Sequence, residues 1–297
     1  MLKLLFNSIL NTIFKSEAKL VFKLRKLCLP IFCIALCMVK FSYADEVISI
    51  AASPVPHAEI LKQAKLLLKK DKIDLQIKEF NDYIQPNLLV AQKQLDANFF
   101  QHIPYLTQFN KERNTNLVSL VAVEIEPMGL YANKADNLLQ EFIKTHEPKA
   151  LKNKNNPLIG VPNDTTNEGR ALLLLQKNNF LTLKKGVVYP TKKDIVNNPY
   201  NLQVLELDPA MLPRALAGGQ LSLAVINSNY ALDAKLNPIK DSIVIEDANS
   251  PYVNIIAVRP EDKSSAKMQK LLNVMQSKEI KEYINSRYNG AIISVIK

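Results

Sequence analysis

The sequence predicts an α/β fold of two lobes with a ligand cleft between them. Two observations carry that expectation. From residue 46 onward, short runs rich in β-branched and aliphatic residues alternate with segments of helical period. No long succession of parallel-type strands gathers those runs into one sheet. A chain of 297 residues with 47% hydrophobic content has room for one or two packed domains.

The elements follow in order. EVISIAA (46–52) reads as a buried strand, and Ile60, Leu61, Ala64, Leu67 and Leu68 then repeat at helical spacing. Ile73, Leu75 and Ile77 alternate with Asp74, Gln76 and Lys78, as in a strand with one wet face. A short helix is expected after Pro86, then a strand over QLDANFF (94–100). LVSLVAVEI (117–125) is a further strand, long enough to cross between lobes, and Leu138–His146 reads as helix. EPKALKNKNNP (147–157) is expected as a surface loop, its lysine- and asparagine-rich part lying away from the cleft. PLIGVP is a strand, and Asn163 opens a helix that continues to about Asn178. LQVLELD, LSLAVIN, SIVIED and YVNIIAV are strands, and one last helix runs from about Asp262 to Tyr288 with Met268, Leu271, Leu272 and Met275 on one face. The expected division puts 45–125 and 250–297 in lobe I and 126–249 in lobe II.

Residues 1–44 read as an export leader. Lys23, Arg25 and Lys26 precede the apolar run Leu27–Val39, and Lys40 closes it. Ser42 and Ala44 fill the small positions of a cleavage site, which predicts cleavage after Ala44 and a periplasmic destination. The run is short for a bilayer crossing, which takes about 20 apolar residues; an uncleaved amphipathic anchor is the alternative. The stretch before Lys23 is long for a leader unless the true start lies downstream of Met1. All three cysteines, Cys28, Cys33 and Cys37, fall in this segment. The chain from Asp45 on therefore has no disulfide framework and no thiol nucleophile. Lipidation needs a small residue before the modified cysteine, whereas Phe32 and Leu36 precede Cys33 and Cys37. A freely diffusing form is expected, with a lipid anchor left open.

The net charge of +10 is concentrated in the leader, so the body is only mildly basic and carries no nucleic-acid footprint. His57, His102 and His146 are far apart, without an H-x-x-x-H pair or a carboxylate-rich pair beside them, so no metal site is expected. No P-loop, dinucleotide fingerprint or G-x-S-x-G elbow occurs, so neither a cofactor nor catalysis is expected. A two-lobed transferase-like enzyme would need a nucleophile or an acid/base pair that the sequence does not offer.

Three segments suggest binding instead. DANFFQHIPYL (96–106) packs Phe99, Phe100, His102 and Tyr105 into seven residues of a chain that is 7% aromatic with no tryptophan. In GVPNDTTNEGRALLLLQ (160–176), Thr165 and Glu168 have capping-box spacing. That leaves backbone N–H groups around Thr166–Glu168 for a carboxylate. Arg170 lies near the positive end of this helix, disfavoured there by the dipole; it is either an anion-binding group or a bland one, an exposed arginine or a surface ion pair. Asn227 and Asn229 follow an apolar strand, where they serve either a zwitterion or turn chemistry. Tyr83 in EFNDYIQPN has a loop-like context.

Together these segments resemble the methionine-binding proteins of bacterial ABC importers, the NlpA/MetQ family. The resemblance runs over nearly all of 47–297, through ASPVPHAEIL, NDYIQPN, LDANFFQHIPYL, PNDTTNEGRALLLLQ, LAVINSNYAL and SPYVNIIAV in the family's order. It implies a two-lobed periplasmic solute-binding fold that closes on methionine and delivers it to an ABC permease and its ATPase, touching the membrane through the permease or an anchor. It also implies an aromatic slot of Tyr83, Phe99, Phe100, His102 and Tyr105. Arg170 would hold the ligand carboxylate and Asn227 the head group, with Asn167 as a helper and Asn229 at a freer position. Another hydrophobic amino acid, a methionine-containing dipeptide or a surface adhesion role are the rival readings.

Overall fold

The computed structural model describes residues 45–153 and 155–297. The expected leader with its cleavage site, the three cysteines and any anchor lie outside the described residues.

Glu46–Ala52 (β1) buries its last three residues, and Glu59–Leu68 (α1) turns Ile60, Leu61, Ala64 and Leu68 inward at helical spacing. Ile73–Glu79 (β2) buries Ile73 and Leu75 and exposes Gln76 and Lys78. Gln85–Ala91 (α2) carries Pro86 in its first turn, where a missing N–H costs nothing. Ala97–His102 (β3) is buried throughout and runs straight into Ile103–Arg113 (α3). Val118–Ile125 (β4) passes through Glu126–Met128 into Gly129–Ala132 (β5). Gln140–Thr145 (α4), Leu158–Pro162 (β6) and Thr165–Lys177 (α5) follow. Thr182–Leu183 (β7) pairs with Ile195–Asn197 (β8), ahead of Gln203–Leu207 (β9). Leu212–Ala217 (α6), Leu223–Ile226 (β10), Ser228–Asp233 (α7), Pro238–Asp241 (α8) and Val244–Ile245 (β11) complete that half. The chain ends through Val253–Val258 (β12), Ala266–Met275 (α9), Lys278–Tyr288 (α10) and Ile293–Ser294 (β13).

Two mixed sheets organise these elements. The first has the order β13-β4-β12-β3-β1-β2, and the second β11-β5-β10-β6-β9. β1 runs parallel to β2 and β3, and β6 parallel to β9 and β10, while β12 and β5 are antiparallel to their neighbours. Ile48, Ile50 and Leu61 pack with Met268, Leu271 and Ile284 beside the first sheet. Met128, Phe142, Val161, Leu172 and Phe180 form a separate core beside the second. The chain passes between the sheets twice, at Glu126–Met128 and at Glu246–Tyr252. Those crossings are paired: Glu246 N donates to Met128 O at 3.0 Å, and Met128 N to Glu246 Oε2 at 3.0 Å.

The α/β architecture is as expected, with local differences. The segment 147–157 is not simply a surface loop: Pro148–Asn153 winds into a 3₁₀ turn that buries Ala150 and Leu151 in the second core. Two apolar residues among lysines suffice to anchor it. The last helix is two helices, because the Ser277 side chain accepts from Ile280 N and starts a new one. The β3 strand begins at Ala97 rather than Gln94 and reaches His102. The crossing from the first sheet is the turn after β4, not that strand itself, and β5, a short strand that starts at Gly129, carries too few residues to be read. The cap of α5 is Asp164, whose side chain accepts from Asn167 N, not Thr165. Glu168 turns away to accept from Lys192 N at 3.0 Å.

Candidate ligand cavity

The cavity lies where the end of β3 faces the start of α5. Successive strand residues point to opposite faces, so Phe99 and Phe100 part company. Phe100 enters the cavity wall, whereas Phe99, expected there, is fully buried in the first core, its ring edge-to-face with His57 at 4.4 Å between ring centroids. Tyr83, Phe100 and Tyr105 make a triangle of rings with centroids 5.7–5.9 Å apart. Tyr105 Oη donates to Tyr83 O at 2.8 Å, which fixes the corner. Tyr83 Oη donates to Asn229 Oδ1 at 2.6 Å, across to the second-sheet side. Asn229 thus positions Tyr83 and does not line the cavity itself.

His102 closes the wall and caps α3. Its Nδ1 accepts from Tyr105 N at 3.1 Å, which leaves the proton on Nε2 to donate to Asn167 Oδ1 at 3.2 Å. Burial first, and the charge of Arg170 second, hold this imidazole down at about 3. It is neutral at ordinary pH.

The opposite side is polar. Asn167 Nδ2 donates to both oxygens of Asp164 at 2.9 Å, and Asn227 Nδ2 donates to Asn167 Oδ1 at 3.0 Å. That fixes both amides and leaves Asn227 Oδ1 a buried acceptor with no partner. Two of the N–H groups expected to receive a carboxylate are already used: Asn167 N donates to the Asp164 side chain and Glu168 N to Asp164 O.

Arg170 is neither exposed nor loosely held. Its Nε donates to Glu246 Oε1 at 2.9 Å, and its Nη2 to Glu246 Oε2 at 2.5 Å and to Glu126 O at 2.6 Å. Its Cζ lies 4.3 Å from the Tyr252 ring centroid, a cation–π contact. Burial works against the charge, but Glu246 outweighs it and holds the proton more firmly than usual. Nη1 is the guanidinium nitrogen these contacts do not use.

Of the nine residues expected in the site, Tyr83, Phe100, His102, Tyr105, Asn167, Arg170 and Asn227 line one cavity, and Phe99 and Asn229 do not. Gln101, Glu126 and Asn254 line it as well and were missed. Two were visible as anomalies: Asn254 is the polar residue in the apolar strand YVNIIAV, and Glu126 is one of two acids in VAVEIEP. Sequence spacing also hid a grouping, since the fold brings Glu124 and Glu126 to His57, contrary to the expectation that no carboxylates accompany the histidines.

Known proteins resemble this chain in sequence and in fold. The model of the NlpA lipoprotein family matches residues 48–296. The D-methionine-binding lipoprotein MetQ of Salmonella typhi is 41% identical over 230 residues, covering 77% of this chain and 80% of that protein. The methionine-binding lipoprotein MetQ of Bacillus subtilis is 41% identical over 254 residues, covering 84% and 88%. A nutrient-binding protein from Burkholderia cenocepacia, solved bound to methionine, superposes with a TM-score of 0.75 at 38% identity, covering 84% of this chain and 99% of that one.

Proposed function

The chain belongs to the NlpA lipoprotein family, and from that premise we propose that it is the solute-binding component of an ABC importer for methionine. The observation that carries this reading is the cavity's two-sided chemistry. Rings of Tyr83, Phe100, His102 and Tyr105 face Arg170 and an unpartnered Asn227 Oδ1 across one space. A thioether is apolar and polarisable, so aromatic walls suit it, at about 0.3–1.5 kcal/mol for each sulfur–ring contact. Burying the side chain adds about 1.5–3 kcal/mol. The ligand carboxylate would lie against Arg170 Nη1, and the ammonium would donate to Asn227 Oδ1; such charged hydrogen bonds contribute about 1.5–3 kcal/mol each. After the cost of capture this supports micromolar to nanomolar binding, about −8 to −12 kcal/mol.

In this reading 45–125 with 250–297 form one lobe and 126–249 the other, and their closure presents a shape to the permease and ATPase. The protein binds and releases without catalysis, using no cofactor. It is exported with cleavage after Ala44, which N-terminal sequencing of the exported protein checks. The deciding experiment is calorimetric titration of ligand-stripped protein with L-methionine, D-methionine, other amino acids and methionine dipeptides. Saturable heat with methionine is expected. Silence with methionine and clear binding of an unrelated solute would overturn the assignment.

A further inference from the structure

Behind the cavity, three buried side chains converge without hydrogen bonds between them. His57 Nε2 lies 3.3 Å from Glu124 Oε1 and 3.3 Å from Glu126 Oε1. His57 and Glu124 have no exposed surface and Glu126 is 6% exposed. His57 Nε2, both carboxylate oxygens of Glu124 and Glu126 Oε1 are buried polar atoms without a hydrogen-bond partner. On the far side of the ring, Ser53 Oγ is 2.5 Å from His57 Nδ1. With Nδ1–H donating to that hydroxyl, Nε2 presents a lone pair to two carboxylates. Such outer-shell fixing of the tautomer is typical of ligating histidines. Three such atoms turned toward one another in a dry pocket need a proton or a cation among them. Arg170 is the nearby cation, and it is committed to Glu246.

We propose that His57, Glu124 and Glu126 form a binding site for a first-row divalent metal ion of the manganese or zinc kind. The separations favour an ion over a shared proton. Charge-assisted N–H···O bonds close to about 2.7–2.9 Å, whereas donors at about 2.0–2.1 Å from a common tetrahedral centre stand about 3.3–3.4 Å apart. A proton bridges two atoms; here three converge, all within 4.8 Å of one another. The widest pair needs to draw in to about 4.2 Å or less to share one ion. One imidazole and two carboxylates suit manganese, iron or zinc better than the all-oxygen cations. Glu126 also lines the ligand cavity, which gives the ion an entry path when the cleft is open. Its Oε2 accepts from Asn229 N at 3.0 Å, so the ion would brace the residue that holds Tyr83. Burial pushes both glutamates up to about 8, so metal uptake would displace protons.

The test uses tag-free, chelator-treated protein titrated with Co²⁺, read by its visible d–d bands and by metal content after gel filtration. One equivalent is expected, displaced by Zn²⁺ and not by Mg²⁺. Glu124→Gln, nearly isosteric and outside the ligand cavity, is expected to weaken uptake by at least about tenfold while methionine still binds. His57→Gln provides a second variant with the same expected loss. No cobalt bands in the wild-type protein, or uptake unchanged in both variants, would overturn the metal site and leave the cluster as a proton-sharing group.

Discussion

At Arg170 the cost of burying a guanidinium is offset by Glu246, by the Glu126 carbonyl and by the Tyr252 ring. Removing the guanidinium would therefore cost Glu246 its partner and, with it, the proposed ligand contact. We expect Arg170→Ala to weaken methionine binding by at least about 2 kcal/mol, roughly thirtyfold, by calorimetry; unchanged affinity would take Arg170 out of the site. His102 offers a pH test. Its folded value of about 3 lies below the ordinary 6.5, so between those values the unfolded chain binds the proton and the folded one does not. Stability contributed by the neutral ring is thus present above pH 6.5 and lost as pH falls, by about 1.4 kcal/mol per unit. Glu124 and Glu126, pushed up to about 8, act in the opposite sense by losing stability as pH rises from their ordinary values. The difference between wild-type and His102→Gln denaturant curves isolates the histidine and should shrink from pH 6 to pH 4. Parallel curves would mean that His102 is not buried neutral. The sequence showed which residue types gather near position 100, but not their parity. Phe99 and Phe100 are equivalent in composition and opposite in a strand, and only the register of β3 between β1 and β12 decides which one faces the cavity.

The 3₁₀ turn Pro148–Asn153 shows why some elements are harder to read than others. α1 and β2 have clear periodicity and β1 and β12 are apolar runs, so their type and place were plain. The 147–157 segment has lysines and asparagines around two apolar residues, so its average hides the pair that matters. Leu151 is fully buried in the second core with Phe142 and Leu139. Leu151→Ala should therefore cost about 2–4 kcal/mol in urea unfolding, as for other buried leucines. A loop lying on the surface would give a change within about 0.5 kcal/mol, and that result would return the segment to the surface. The split between α9 and α10 was missed for a related reason. The apolar stripe continues from Met275 to Ile280 and Ile284, and the break is set by one hydroxyl, that of Ser277, accepting from Ile280 N.

Over the whole molecule, the site and the two chain crossings are one network. Glu246 stands at the second crossing, pairs its backbone and side chain with Met128 at the first, and holds Arg170, which in turn reaches the Glu126 carbonyl. The residue expected to meet the ligand carboxylate is thereby tied to both segments that join the two sheets. No sequence pattern announced this, because Glu246 is 76 positions from Arg170 and reads simply as the end of a strand. The arrangement has a consequence for ligand linkage. Glu246→Gln keeps the shape but leaves the Arg170 charge, 3% exposed, without its carboxylate. Breaking a pair of this kind by removing one partner costs about 3 kcal/mol, and ligand-free stability should fall by that order. A bound methionine carboxylate then becomes the main counter-charge at Arg170. Saturating methionine should accordingly raise the unfolding free energy of Glu246→Gln by more than it raises that of the wild-type protein. An equal or smaller gain would mean that the ligand carboxylate lies elsewhere and that the crossings and the cavity are energetically separate.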